Sequence, residues 1–172
     1  MEKLENQQCP MCGKYNLTLS EEEVNIPEFG IVFSFGMDCS ECGFSKHDVE
    51  AEEPQGPLKY SFNVESEEDL KANIIKSAEA KVNIPYITSM EPGPSAQGFI
   101  TTIEELLQKV KQNLEDIKEN SEDSDEKKKT WKLIKKINRV LWGDEKVKVI
   151  IEDPAGNSAI VSQKANKTKL KS

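Results

Sequence analysis

The chain has 172 residues and a formal net charge of −8, from 23 Lys and Arg against 31 Asp and Glu. This acidity argues against a general nucleic-acid binder, because nonspecific affinity for phosphates comes from clustered Lys and Arg. No apolar run approaches the ~20 residues that cross a bilayer, and the first residues lack the pattern of a signal peptide. The sequence therefore predicts a soluble, cytosolic and cytoplasmic protein of one ordinary domain or two small ones, with no membrane contact.

All four cysteines lie in the first quarter of the chain, in two Cys-x-x-Cys pairs: Cys9, Cys12, Cys39 and Cys42. In the cytosol such pairs are more typical of metal ligands than of disulfides. Each pair is followed by a glycine, which suits a tight knuckle around a metal. Four thiolates close a tetrahedral shell, as in structural zinc sites. We predict one structural zinc as the cofactor, with buried free thiols or two disulfides as the alternatives. His47 is predicted to be a partly exposed polar residue rather than a ligand.

The spacer between the cysteine pairs predicts a zinc ribbon over residues 1–50. Alternating segments at 17–19 and 24–26, a turn at 27–30 and a β-rich segment at 31–35 suit hairpins that carry the knuckles. Residues 1–50 contain three lysines and ten carboxylates, a net charge of −7. Because this charge should repel phosphates, the ribbon is predicted to stabilise the fold or to bind a protein. An RNA- or ribosome-associated zinc-ribbon module is the alternative function.

A second module is predicted over residues 51–162, after a turn-rich linker at 52–57. Residues 58–64 alternate strictly between apolar and polar, which indicates a half-buried strand. Ser66 is predicted to cap a short helix. Residues 73–76 and 81–84 are predicted strands, and 91–95 a loop.

Residues 102–142 are predicted to form an antiparallel helical hairpin. Thr102 and Glu105 have the spacing of a capping box, and apolar residues recur from there at helical spacing. A polar break at 119–125 precedes a second amphipathic stretch, and Gly143 is placed as a helix stop. The hairpin either packs only on the neighbouring sheet or also docks a partner through its tip, residues 119–128.

The last part of the chain is predicted to hold a strand at 146–151, a rigid turn at 153–158 and a returning strand at 159–161. The lysine-rich tail, 163–172, is predicted to be disordered because it has almost no apolar content. We predict that a partner contacts the turn through four residues: Asp153, Pro154, Gly156 and Asn157.

The sequence contains no recognisable catalytic motif. It has no Walker loop, no dinucleotide-binding glycine motif and no nucleophile elbow. A Cys-His or Ser-His-Asp site would need His47, which sits beside the second knuckle, while every cysteine is assigned to metal. One histidine also excludes a two-His-one-carboxylate iron site. Carboxylates are numerous, but no pair stands out for acid–base chemistry, so we predict that the protein is not an enzyme.

Six segments of the chain together resemble the ZPR-type zinc-finger protein family. They occur in the family's order, and the resemblance covers nearly the whole chain up to about residue 161. The segments are 9–13, 39–44, 69–77, 83–85, 98–104 and 151–158. The spacing of the cysteine pairs and the Asp-Pro-Ala-Gly-Asn-Ser turn at 153–158 are the most specific parts. The chain departs from the family at Tyr86, where many members have an acid after Ile-Pro.

The resemblance implies a fold, a partner and a function. The fold is α+β, with a four-cysteine ribbon similar to that of translation initiation factor 2 beta, then a double-stranded β-helix-like domain with an inserted helical hairpin. The chain resembles the single-unit, archaeal type. The family is associated with binding translation elongation factor 1-alpha and assisting its folding, which makes that factor the expected partner. The acidic charge makes nucleic acid an unexpected one. A small-molecule site in the β-helix domain is a further alternative, supported by fold analogy alone.

Overall fold

The structure, a computed structural model, describes residues 1–171. Its N-terminal part is a four-stranded antiparallel sheet in the order β1-β2-β3-β4, with bounds Glu2–Gln7, Leu17–Ile26, Gly30–Cys39 and Ser45–Ala51. The two short segments predicted at 17–19 and 24–26 are one continuous strand, β2. The sequence did not indicate β1 or β4, because both are polar strands with little apolar alternation. The knuckles lie at one end of this sheet and the turn after Ile26 lies at the other.

Two further sheets form a β-sandwich. One has the order β12-β5-β10-β7-β8, and its strands in chain order are Leu58–Val64 (β5), Lys81–Ile84 (β7), Thr88–Met90 (β8), Val147–Asp153 (β10) and Asn166–Lys169 (β12). The other has the order β11-β6-β9, from Asn73–Lys76 (β6), Phe99–Thr102 (β9) and Ala159–Val161 (β11). The strands predicted at 58–64, 73–76, 81–84, 146–151 and 159–161 are confirmed. The sequence missed β8 and β9, which have three and four residues.

The alternation predicted for β5 determines which side chains form the core. Every second residue of β5 is buried, from Leu58 to Val64, and β10 has the same pattern from Val147 onwards. The register pairs Val149 with Phe62, so both strands direct the same face inwards. The last inward position of β10 is occupied by Asp153, which brings a carboxylate to the edge of the core.

The helical hairpin is confirmed, with α1 at Ile103–Asn120 and α2 at Ser124–Leu141. Thr102 Oγ1 accepts from Glu105 N at 3.2 Å, and Glu105 Oε2 accepts from Thr102 N, which completes the capping box. Most of the apolar stripe of each helix, including Leu107 and Ile137, is buried in the core, whereas Ile117 and Trp131 are exposed. Gly143, with φ +81°, ends the second helix as the sequence predicts.

The ribbon and the sandwich share one hydrophobic core. Ile26, Val32 and Val49 from the ribbon belong to the same buried cluster as the strands and helices of the sandwich. The segment predicted as a linker is also hydrogen-bonded on both sides, because Glu52 N donates to Ile31 O at 3.0 Å and Gln55 N donates to Gly156 O at 3.1 Å. The boundary between the two modules at residues 50 and 51 stays a prediction.

Two local expectations were wrong. The tail predicted to be disordered forms β12, which pairs with β5 from Ser61 to Leu58. An edge strand of this kind is held by backbone hydrogen bonds, so it needs little apolar content.

The predicted helix cap at Ser66 is not formed. Instead a 3₁₀ turn occupies Asp69–Lys71, and Asp69 Oδ2 accepts from the backbone N–H groups of Glu65 and Ser66.

The buried carboxylate of Asp69 should make stability depend on acid pH. Lys164 Nζ lies 2.7 Å from Asp69 Oδ2. Burial opposes ionisation of Asp69, but the hydrogen bonds from Lys164 and the backbone N–H groups outweigh it and hold its pKa below the ordinary 3.8. The stabilisation is therefore present above the unfolded pKa and is lost as pH falls through the folded pKa.

We expect Asp69→Asn to destabilise the protein by about 1–3 kcal/mol at neutral pH, because Lys164 and the two backbone N–H groups lose an ionised acceptor. The loss should shrink as pH falls through the acid range, since the wild type is then also protonated. Denaturant unfolding at a series of pH values measures it, with the exposed Asp144→Asn as control. If the free energy of unfolding depends on pH in the same way in Asp69→Asn and in the wild type, this account is wrong.

Candidate metal centre and the polar junction

The two knuckles bring the four cysteine sulfurs into one group. All four Sγ atoms lie within 4.8 Å of one another. Cys9 Sγ is 3.7 Å from Cys42 Sγ, and Cys12 Sγ is 3.8 Å from Cys39 Sγ. Each close contact therefore joins one knuckle to the other, so the group depends on both pairs together. Its size suits one metal ion held by four thiolates.

Both knuckles have the same backbone geometry. Gly13 N donates to Cys9 O at 2.9 Å, and Gly43 N donates to Cys39 O at 3.0 Å. The two glycines have φ values of +72° and +74°, a region that a side chain rarely adopts. This explains the glycine after each pair in the sequence. Met11 N also points at Cys9 Sγ, at 3.4 Å, as expected for a thiolate acceptor.

The thiols of the group have opposed tendencies to ionise. Burial opposes ionisation of Cys9, but the N–H groups of Cys12 and Met11 and the neighbouring thiols outweigh it and lower its pKa to about 7. At Cys42 the backbone hydrogen bond with Phe44 favours the thiolate, but burial and the other three cysteines raise the pKa to about 12. The first thiolate forms readily while the last is resisted by its neighbours. A bound dication removes that resistance, because it favours every thiolate at once.

His47 lies outside the sulfur group, half-exposed on β4, as the sequence predicts. Its Nε2 is 3.1 Å from Asp38 Oδ1. The hydrogen bond from Ser45 Oγ to Asp38, followed by the contact with His47, holds the pKa of Asp38 below its ordinary value. The histidine therefore braces β3 against β4 beside the knuckles.

The comparisons with known proteins agree with this arrangement. A family model described as the ZPR1 jelly-roll domain matches residues 68–172. An uncharacterized ZPR1-like protein of Methanocaldococcus jannaschii is 34% identical over 165 residues, which cover 95% of this chain and 83% of that protein. The chain belongs to the ZPR1 family. The β-sandwich is its jelly-roll domain, which corresponds to the double-stranded β-helix expected from the resemblance.

Eukaryotic relatives match over a smaller share of their length. The zinc finger chaperone zpr1 of Schizosaccharomyces pombe is 34% identical over 160 residues, 88% of this chain but 33% of that protein. The zinc finger protein ZPR1 of Homo sapiens is 29% identical over 157 residues, 87% of this chain and 34% of that protein. This chain thus contains a single ZPR1 unit and holds one structural zinc through the four-cysteine group. No helix within residues 1–171 is long and apolar enough to span a membrane.

A second cluster of polar groups joins the ribbon to the jelly-roll domain. We call it the polar junction, and it consists of Asp48, Lys76, Ser77, Asp153 and Ser158. Asp153 is fully buried and its two carboxylate oxygens accept five hydrogen bonds, from Ser77 Oγ, Ala155 N, Gly156 N, Asn157 N and Ser158 Oγ. A carboxylate satisfied in this way fixes the turn at 153–158 against β6.

Lys76 provides a buried cation in the polar junction. Lys76 is 2% exposed, and its Nζ donates to Ser77 O at 3.0 Å and to Gln97 O at 3.1 Å. Burial lowers its pKa, against the opposing charges of Asp48 and Asp153. Asp48, from β4 of the ribbon, accepts from Ala78 N at 2.7 Å, so the junction reaches across both modules.

Sequence reasoning missed Asp48 and Lys76, because the contacts that join them to other elements, with Ala78 N and with Gln97 O, span 30 and 21 residues of the chain. For Asp153 the sequence did contain a signal of burial, because this residue occupies the last buried position of the alternating pattern of β10.

The structure corrects part of the predicted partner contact at the turn. Asp153 and Gly156 are buried, so neither reaches a partner in this conformation. Their hydrogen bonds hold the turn in place instead. Asn157 is half-buried and its Oδ1 accepts from Ala51 N at 3.1 Å, while Pro154 is exposed. Partner contact stays a prediction for Pro154 and Asn157.

Proposed function

We propose that this chain is a non-catalytic, cytoplasmic protein-interaction factor of the archaeal type that binds translation elongation factor 1-alpha and assists its folding. One observation carries the proposal: a relative named a zinc finger chaperone matches 88% of this chain. The elongation factor itself comes from the family resemblance of the sequence. The function needs a binding surface rather than reacting groups, which suits a chain whose four cysteines are engaged together.

The ribbon offers a surface with the chemistry that such a client requires. Leu4, Leu19 and Met37 are paired across three adjacent strands and therefore share one face of the sheet. With Phe35 they line a groove of about 680 Å³. Leu4 is 63% exposed, so the apolar surface is open to a partner. An exposed apolar patch of this kind is typical of an interaction site.

Carboxylates flank the same groove. Glu2 and Glu21 are exposed at its rim and are paired across β1 and β2. Apolar surface with an acidic border complements a segment that has apolar side chains between lysines and arginines. Complementary charge speeds the encounter, and the apolar contact then holds the incompletely folded client. We therefore assign the client contact to this groove, next to the zinc-held knuckles.

Cell-free synthesis of elongation factor 1-alpha tests the proposal. With the purified wild-type chain present, we expect more soluble, GTP-binding elongation factor and capture of the nascent factor on the tagged chain. Leu4→Ser should reduce both by several-fold, because it removes the most exposed apolar side chain of the groove. The matched control is Tyr86→Ser, which removes an aromatic ring that is 93% exposed in the jelly-roll domain. A wild-type chain with no effect on the factor would overturn the proposed function. If Tyr86→Ser is inactive while Leu4→Ser stays active, the assignment of the client contact to the groove is wrong.

A further inference from the structure

The second helix of the hairpin has a charge opposite to that of the rest of the molecule. Within its 18 residues, α2 contains two acids in the first turn and then seven cations with no acid among them: Lys127, Lys128, Lys129, Lys132, Lys135, Lys136 and Arg139. The helix has a net charge of +5 in a chain whose net charge is −8. The overall acidity therefore hides a strongly basic element.

Helical geometry gathers four of these cations on one side. Lys128, Lys132, Lys135 and Arg139 follow each other at spacings of three and four residues, so they share a face. All four are exposed, while Ile134 and Ile137 on the opposite side are buried in the core. We call this exposed side the basic face of α2. The hairpin packs on the domain through its apolar stripe and leaves the basic face open to solvent.

The lysines of the basic face have no carboxylate partners. Among residues 1–171, none of the six α2 lysines forms a salt bridge, whereas Arg139 pairs with Glu145 at 2.6 Å. Elsewhere the protein does pair its lysines, as at Lys59 with Glu152 and Lys81 with Glu91. The charges of the α2 lysines are therefore available to an external polyanion, which carries its own condensed cations. When lysines neutralise its phosphates, those cations are released, which favours binding.

Two exposed tryptophans accompany these cations. Trp142 follows the last turn of α2 in helical geometry and is 66% exposed. It lies on the same side as Lys128 and Lys135, because its spacing from them is close to whole helical turns. Trp131 lies between two lysines, with Lys118 Nζ 4.2 Å and Lys135 Nζ 5.1 Å from its ring centre. Aromatic rings interleaved with cations are typical of surfaces that bind single-stranded nucleic acids, where bases stack on the rings.

We propose that the basic face of α2, with Trp142 at its end, binds single-stranded RNA. Lys128, Lys132 and Lys135 contact phosphates, and a base stacks on Trp142. An acidic protein segment would satisfy the lysines but would leave the exposed indole without a matching group. The acidic ribbon repels phosphates and confines the RNA to the hairpin. The choice of RNA over DNA rests on the proposed function, which places this protein beside a translation factor.

Binding of a fluorescein-labelled oligo(U) of about 15 nucleotides tests this, a length that suits a site of this kind. Anisotropy titrations of the full chain between about 50 and 200 mM salt should give a log–log slope near −2, for about three neutralised phosphates. The triple variant Lys128→Gln, Lys132→Gln and Lys135→Gln should flatten the slope by about 2 and weaken low-salt binding at least tenfold. Glutamine keeps the helix propensity of lysine, so the helix is retained.

A matched control removes the same charge elsewhere. Lys167→Gln, Lys169→Gln and Lys171→Gln together change three exposed lysines of the C-terminal segment and should leave affinity and slope unchanged. Trp142→Ala should weaken binding about tenfold with the slope unchanged, because stacking does not release counterions.

Three results would overturn the proposal. These are no binding at low salt, an equal loss in both triple variants, or a poly-glutamate peptide that binds as tightly as oligo(U). Equal or tighter binding of oligo(dT) would overturn the choice of RNA. None of these outcomes depends on the elongation factor, so the proposed function is tested separately.

Discussion

Cys39→Ser is expected to release the zinc and to unfold the knuckle end of the ribbon. Four thiolates hold the metal, and Cys39 Sγ contributes one of the two close contacts between the knuckles. Zinc binding to small finger domains is worth about 10–16 kcal/mol at neutral pH, and that free energy is shared with folding. The knuckle end has little else to stabilise it, because its own cluster within residues 1–171 is small: three buried residues, Cys9, Leu17 and Cys39, with four partly buried residues packed against them.

The jelly-roll domain should survive this loss. The far end of the ribbon is anchored in the main core by Val32 and Val49, which are almost completely buried. Cys39→Ser is therefore expected to cause local rather than global unfolding. Hydrogen exchange should show loss of protection in β1 and at the knuckle ends of β2 and β3, while β5 and β10 stay protected.

Metal analysis and a neighbouring substitution make the test specific. The wild type should contain about one zinc per chain, since four thiolates complete one tetrahedral shell. Ser40→Ala lies beside the same cysteine, at an exposed position, and should keep the metal. Full zinc content in Cys39→Ser would show that the four-cysteine assignment is wrong. Loss of protection in β10 would show that the two clusters are not independent.

The zinc site was predictable from the sequence because its determinants are local. Each knuckle is specified within five residues, including the glycine whose positive φ the turn requires. The helical hairpin was predictable for a related reason. Its apolar period and its capping box lie within the segment that folds, and no distant partner is needed to recognise them.

The rest depended on contacts that a linear pattern does not reveal. β12 is almost entirely polar and becomes a strand only because β5 offers an open edge. Asp69 meets Lys164 across 95 residues, which no spacing rule connects. The basic face of α2 was a different kind of omission. Its cations are close together in the sequence, but the net charge of the whole chain conceals them because the acids lie elsewhere.

Gly156→Ala is expected to destabilise the jelly-roll domain by about 3 kcal/mol or more, from left-handed strain and overpacking together. Gly156 has φ +80°, and a Cβ there would lie 2.3 Å from Gly56 O and 2.9 Å from Gln55 N. Both obstacles are backbone atoms of the segment that joins the ribbon to the jelly-roll domain. They can move only if the turn separates from that segment, which would break the hydrogen bond from Gln55 N to Gly156 O.

Calorimetry should show a melting temperature lower by about 10 °C for a chain of this length. Gly93→Ala is the matched control, because a Cβ at Gly93 meets no atom within 4 Å, and it should change stability by less than about 0.5 kcal/mol. Gly156→Ala should still bind zinc, since Ala51, which the turn contacts through Asn157, lies at the opposite end of the ribbon from the knuckles. Equal melting temperatures for the two alanine variants would show that the turn does not stabilise the contact between the ribbon and the jelly-roll domain. Zinc loss in Gly156→Ala would show that the metal site depends on the contact between the turn and the joining segment. Zinc retention with a lower melting temperature would show that the two ends of the ribbon are stabilised independently.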